Sequence, residues 1–95
     1  MNCWLAQFSK TPCDGELVRC HLIPRQVLKR EGHPELIDDR RTWVPGCGGP
    51  TGVGGHHGEL DFSRKLRIPI WDIPTETLLL MEAIDLDWWL RREYA

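Results

Sequence analysis

The sequence predicts a small α+β fold, stapled by zinc and closed by a C-terminal αα-hairpin. Three observations predict it. A single strand-like run, Glu16 to Ile23, is followed by several helix-like stretches, and four cysteines and four histidines share a chain of 95 residues. A chain that short buries a small share of its surface, so it commonly needs a cross-link besides its apolar core. With 41% hydrophobic and 27% charged residues it is globular, while nine glycines and seven prolines imply long irregular connections.

Taken in order, Pro12-Cys13-Asp14-Gly15 reads as a turn and Glu16 to Ile23 as a strand, with a hairpin ending near His21. Pro24 suits the first turn of a short helix over Gln26 to Glu31, which Gly32 and Pro34 stop. Residues 33–42 read as a polar connection and Trp43-Val44-Pro45 as a short extended piece. Gly46 to Gly55, with six glycines and Pro50, reads as a loop. Such a loop is costly to order, and a metal gripping Cys47 on one side and a histidine on the other would offset that cost. A helix is expected from His56 to about Arg64, with His57 and Asp61 one turn apart on one face. Ile68 to Ile73 reads as extended. Residues 74–94 read as the αα-hairpin, with Leu86, Trp89 and Leu90 on one apolar face. The tryptophans are expected to cover the core. No repeat or linker divides the chain, so it is taken as a single domain, 1–95, with a zinc-bearing core over 1–67 and a helical appendage over 68–95.

The N-terminal stretch has no basic start followed by a long apolar run, and no segment approaches the roughly 18 apolar residues of a membrane span. The expected setting is a reducing cytoplasm, where cysteines serve as metal ligands or buried thiols; two disulfides are the alternative. The formal charge is −2, unevenly spread: residues 1–71 carry ten Lys/Arg against eight Asp/Glu, residues 72–95 two against six. Basic residues surround the cysteines and histidines in sequence, so phosphate can be gripped locally without a basic chain; Arg19, Arg25, Arg64 and Lys65 are the candidate DNA contacts. Cys13 and Cys20 lack the Cys-x-x-Cys spacing of a dithiol oxidoreductase.

The informative pattern is Cys13-x6-Cys20-His21-Leu22-Ile23-Pro24, then Cys47-x8-His56-His57-x3-Asp61. Thiolates and imidazoles from distant segments suit a tetrahedral structural zinc site. His21-Leu22-Ile23-Pro24 and His56-His57-Gly58-Glu59-Leu60-Asp61 resemble the first and last elements of the HNH endonuclease family, over residues 3–61. That family has a ββα-metal core: a β-hairpin carrying the base histidine, then a helix carrying metal ligands.

The resemblance implies a metal-dependent DNA endonuclease hydrolysing phosphodiester bonds. His21 would be the general base and His57 the ligand of one catalytic divalent metal, whether Mg, Mn, Ni or Zn. A separate structural zinc would take Cys3, Cys13, Cys47 and His56, with Cys20 able to replace Cys3. Asp61 is a direct ligand, a partner of His57 or a solvated helix residue, and His21 has the alternative role of a zinc ligand. The resemblance further implies a bacterial or phage source, DNA and phage packaging proteins as partners, and the bacterial host cytoplasm as the location. Two positions depart from the family: Cys20 stands where an acidic residue or histidine usually helps hold the catalytic metal, and Thr42 stands at the place of the bracing asparagine. The competing functional class is a noncatalytic zinc-held module binding nucleic acid or protein. Substrate form, oligomeric state and host partner are left open by the sequence.

Overall fold

The computed structural model describes residues 2–49 and 54–94 and is α+β. Its chain divides into two compact units, Met1–Leu22 with Trp43–Arg67, and Ile23–Thr42 with Ile68–Ala95. No helix among the described residues is long and apolar enough to cross a membrane.

In the first unit a 3-10 helix, Trp4–Phe8, buries Leu5 and precedes strand β1, Glu16–His21. Side chains alternate along β1: Leu17 and Arg19 are exposed, Val18 is half-buried and Cys20 is buried. Its partner is β2, Trp43–Gly49, paired antiparallel from His21↔Trp43 to Glu16↔Gly49, with an irregularity between Glu16 and Leu17. The strands are therefore not joined by a tight turn. Nothing after His21 has hairpin-turn chemistry; Ile23-Pro24 instead leads into a helix, and the chain returns to pair only after residues 23–42. Helix α2, Gly55–Asp61, follows β2.

The expected loop from Gly46 to Gly55 is corrected in its first part, since Gly46 to Gly49 belong to β2; residues 50–53 lie outside the described residues. Gly46 shows why strand propensity misleads there. A Cβ at Gly46 would overlap the Cys20 sulfur and lie 2.8 Å from Leu5 Cδ1, so the missing side chain is what lets the 3-10 helix and β1 close against β2.

The second unit begins with α1, Arg25–Arg30, which buries Val27 and Leu28. It stops where the sequence places the stop: Gly32 takes φ 84, its N–H donates to the Lys29 carbonyl (3.2 Å), and His33 N–H donates to the Leu28 carbonyl (2.7 Å). Those paired bonds form a Schellman cap, which favours glycine at that position. Residues 33–42 hold two 3-10 turns, Pro34–Leu36 and Arg40–Thr42. Thr42 is fully buried, its hydroxyl donating to the carbonyls of Asp39 (2.7 Å) and Leu36 (3.1 Å). Arg41 grips Asp39 through two guanidinium nitrogens, at 2.9 and 2.8 Å.

The two C-terminal helices are present as α3, Thr75–Ala83, and α4, Asp87–Glu93. A second Schellman cap ends α3, with Asp85 in the left-handed conformation (φ 60) and Leu86 N–H donating to the Met81 carbonyl (2.8 Å). Leu86, Trp89 and Leu90 are buried together with Leu80 and Met81, as the apolar face requires. The stretch expected to be extended, Ile68 to Ile73, contains a 3-10 turn at Ile70–Asp72, where Asp72 N–H donates to the Pro69 carbonyl (2.9 Å).

Thr77, 2% exposed, donates its hydroxyl to the Arg41 carbonyl at 2.6 Å and so ties α3 to the Arg40–Thr42 turn. Thr77→Val keeps the shape and removes the donor, and should lower stability by about 1–3 kcal/mol. Thermal denaturation is the measurement, with Thr77→Ser expected to stay near wild type.

Candidate metal centre

Four segments of the first unit converge on one point. Cys3 caps the Trp4–Phe8 helix, Cys13 precedes β1, Cys47 lies in β2, and His56 is the second residue of α2. Their three sulfurs and one imidazole nitrogen all lie within 4.8 Å of one another. His56 Nδ1 is 3.4 Å from Cys3 Sγ, 3.6 Å from Cys13 Sγ and 3.2 Å from Cys47 Sγ. Thiolate and imidazole atoms about 2.0–2.3 Å from a tetrahedral zinc stand about 3.6 Å apart, so the donor set and its spacing fit a Cys3His zinc site.

The surroundings prepare these ligands. His56 Nε2 lies 2.8 Å from the Thr11 carbonyl, which can only accept; the proton is therefore on Nε2 and the Nδ1 lone pair faces the sulfurs. Cys47 N–H donates to Cys3 Sγ (3.3 Å), and Asp14 and His56 N–H donate to Cys47 Sγ (3.4 and 3.2 Å). The last of these satisfies a backbone donor in the first turn of α2, which has no side-chain cap. The Cys47 sulfur thus does the work of the missing cap.

Among themselves the three thiols compete for one charge. For Cys3, burial acts upward, but the Cys47 N–H and the His56 contact outweigh it and bring the thiol from 9.0 to about 7. Partial loss of hydration among its neighbours, together with Cys47 and Cys3, pushes Cys13 up to about 11. For His56, burial acts downward, yet Cys3 and the Thr11 carbonyl hold its imidazolium above the ordinary range. A bound dication would remove this competition, releasing the protons into solution. Cys13 is exposed and borders an open recess of about 430 Å³ lined by Thr11, Pro12, Asp14, Gly55 and Glu59, which gives the site a route to solvent.

A clamp invisible in the sequence fixes the N-terminal ligands. The Ser9 and Thr11 hydroxyls donate to the two oxygens of Glu59, at 2.7 and 2.6 Å, and these bonds with Thr11 and Ser9 lower the Glu59 carboxyl. Ser9 and Glu59 are 50 residues apart, so no spacing rule marks them as partners.

The expected ligands Cys3, Cys13, Cys47 and His56 are thus brought together, and two alternatives are corrected. Cys20 does not replace Cys3: it is fully buried beside Gly46, and burial, followed by the charge of Asp61, pushes its thiol up to about 12. His21 lies outside the group that Cys3, Cys13, Cys47 and His56 form. It stands half-buried at the end of β1, opposite Trp43.

His57 and Asp61 meet directly, Nε2 to Oδ2 at 2.9 Å, one turn apart on α2. His57 Nδ1 is buried and has no hydrogen-bond partner among the described residues. Among those residues the Cys3His group is the one metal-ligating cluster of three or more, so His57, Asp61 and Cys20 do not assemble a second. Of the candidate DNA contacts, Arg19 is exposed on β1 with its guanidinium 4.7 Å from the Trp43 ring centre. Arg64 and Lys65 are exposed beyond α2, and Arg25 starts α1 in the second unit. Thr42 satisfies its own turn in the second unit, its hydroxyl donating to the Asp39 carbonyl.

A scan against protein-family models finds no match, and searches of curated proteins and of solved structures find none either.

Purified protein should carry one zinc per chain by elemental analysis; Cys47→Ser and His56→Ala should lose it, whereas Cys20→Ala should retain it. Because protons and zinc compete for the same thiols, zinc affinity should rise with pH between 6 and 8, and calorimetry in buffers of differing ionisation enthalpy should register proton release.

Proposed function

We propose that this chain is a metal-dependent DNA endonuclease of the HNH type, with the Cys3His zinc site as its structural staple. One observation carries the reading. The first unit runs strand, strand, helix, with His21 at the end of β1 and the His57 and Asp61 pair on α2, and the zinc ligands tie β2 to α2. This is the order a ββα-metal core requires, and it bears the residues that the motif resemblance assigns to chemistry.

In this reading His21 is the general base. A neutral imidazole accepts a proton from water near neutral pH, leaving hydroxide to attack the scissile phosphorus. His57 and Asp61 would hold a catalytic divalent ion, which would supply positive charge for the crowded phosphorane-like transition state and the leaving oxygen. The two stand one turn apart on α2 and are hydrogen-bonded to each other at 2.9 Å. DNA is then the substrate, and phage packaging proteins are the partners the resemblance implies.

A second reading, a noncatalytic zinc-held module that binds nucleic acid or protein, is favoured by Cys20. At the position where an acidic residue or histidine would complete the catalytic metal set, this chain has a wholly buried thiol. The two readings separate in a nicking assay on supercoiled plasmid with Mg, Mn, Ni or Zn. A nuclease should nick with at least one metal, and folded, zinc-loaded His21→Ala should lose about a hundredfold or more of that rate. Folded, zinc-loaded wild type that leaves the plasmid intact with every metal would overturn the nuclease in favour of the module.

A further inference from the structure

We infer that Cys13 is the oxidation site of the zinc group: a small uncharged hydroperoxide reacts first at its sulfur, and Cys3 closes the product into a disulfide that releases the metal. The inference goes beyond the nuclease reading and shares with it only the zinc staple.

The four ligands are unequally guarded. Cys47 and His56 are buried and Cys3 is half-buried, whereas Cys13 is exposed and borders the open recess. Hydrogen bonds repeat that order. Cys47 Sγ accepts the N–H groups of Asp14 and His56, and Cys3 Sγ accepts that of Cys47, while among the described residues no backbone N–H donates to Cys13 Sγ. An N–H bond stabilises the charge of a thiolate and so weakens it as a nucleophile. Zinc holds every ligand thiol deprotonated, which leaves Cys13 as the most accessible and least restrained thiolate of the group.

The recess selects the oxidant. Among the described residues that line it are two carboxylates, Asp14 and Glu59, and no cation, and three thiolates on one dication are themselves net anionic. Anionic oxidants are repelled there, and a small neutral hydroperoxide is not.

Cys3 is the resolving partner. Its sulfur lies within 4.8 Å of the Cys13 sulfur, and both residues precede the sheet. The chain between them is short and is held by Ser9 and Thr11 on Glu59, so closing it costs little. Cys47 is a poorer partner. It is fixed in β2, and its sulfur caps α2.

In the first step the Cys13 thiolate attacks one peroxide oxygen: the S–O bond forms, the O–O bond breaks, and the departing hydroxide takes a proton from solvent. The sulfenic acid left on Cys13 is a weak zinc donor. The Cys3 thiolate then attacks the Cys13 sulfur, forming S–S and breaking S–O, and the second hydroxide is protonated to water. Two thiolates have lost two electrons, and the hydroperoxide has been reduced. Only Cys47 and His56 remain for the metal, which leaves, and the tie between β2 and α2 goes with it.

The test uses full-length protein with its zinc content measured beforehand, treated with hydrogen peroxide at neutral pH beside a zinc-sensitive dye, with and without dimedone to trap sulfenic acid. Trypsin leaves the four cysteines on separate peptides, residues 1–10, 11–19, 20–25 and 42–64, so mass spectrometry assigns each product. Early dimedone adducts should fall on Cys13. Peroxide alone should join Cys13 to Cys3 and release the full zinc complement, and dithiothreitol with zinc should restore thiols and metal together. Zinc-loaded Cys13→His, which keeps a donor but no thiol, should hold its metal over the time in which wild type loses all of it. Adducts appearing first on Cys3 or Cys47, a main disulfide that includes Cys20 or Cys47, zinc retained in excess peroxide, or zinc lost while Cys13 is intact would each overturn the inference. A chain that carries no zinc at the outset refutes the staple itself, whereas a zinc-loaded chain oxidised elsewhere refutes only the role of Cys13.

Discussion

The first unit depends on a four-way cross-link. Cys3, Cys13, Cys47 and His56 come from a 3-10 helix, a pre-strand turn, a strand and a helix, and their ligand atoms meet within 4.8 Å. Few apolar side chains are available to hold those segments together: among the described residues, Leu5, Leu22, Val44 and Leu66 are the buried aliphatic residues of this unit. A core that small is marginal, and a metal held by these four residues would supply what apolar burial does not. The same cluster replaces the side-chain cap that α2 lacks, through the His56 amide on the Cys47 sulfur, so ligand geometry and helix position are a single constraint.

Fixing α2 against β2 has a consequence for chemistry. His57 is adjacent to a zinc ligand, so the position of its backbone is set by the cluster, and its ring is then oriented by Asp61 one turn on. Removing the staple would therefore disturb the candidate catalytic face as well as the fold. On the sheet side, Cys20 has a packing role. Its sulfur fills the space left by Gly46, and a thiol held neutral by burial is a small apolar group.

The second unit uses different means. It has a larger set of buried aliphatic and aromatic residues, among them Ile23, Leu28, Ile73, Leu80, Met81, Trp89 and Leu90. Two Schellman caps end its helices, and threonine hydroxyls satisfy carbonyls in its turns. Chain from either side of β2 contributes to it, residues 23–42 before the strand and 68–95 after it.

The sequence by itself determined the elements whose signals are local. The stop at Gly32, the two C-terminal helices with their Leu86, Trp89 and Leu90 face, and the strand beginning at Glu16 all follow from neighbouring residues. It also named the four zinc ligands as candidates, because thiolate and imidazole are recognisable as donors wherever they stand. Tertiary structure decided the choices between distant partners. Cys3 was selected over Cys20, β2 was extended through glycines that propensity assigns to a loop, and Glu59 was joined to Ser9 and Thr11 across about fifty residues. The reason is the range of the interactions: caps and helix faces act over one or two turns, whereas a ligand set, a strand pairing and a buried contact depend on which distant segments can approach, and at Gly46 that turned on the absence of a single Cβ.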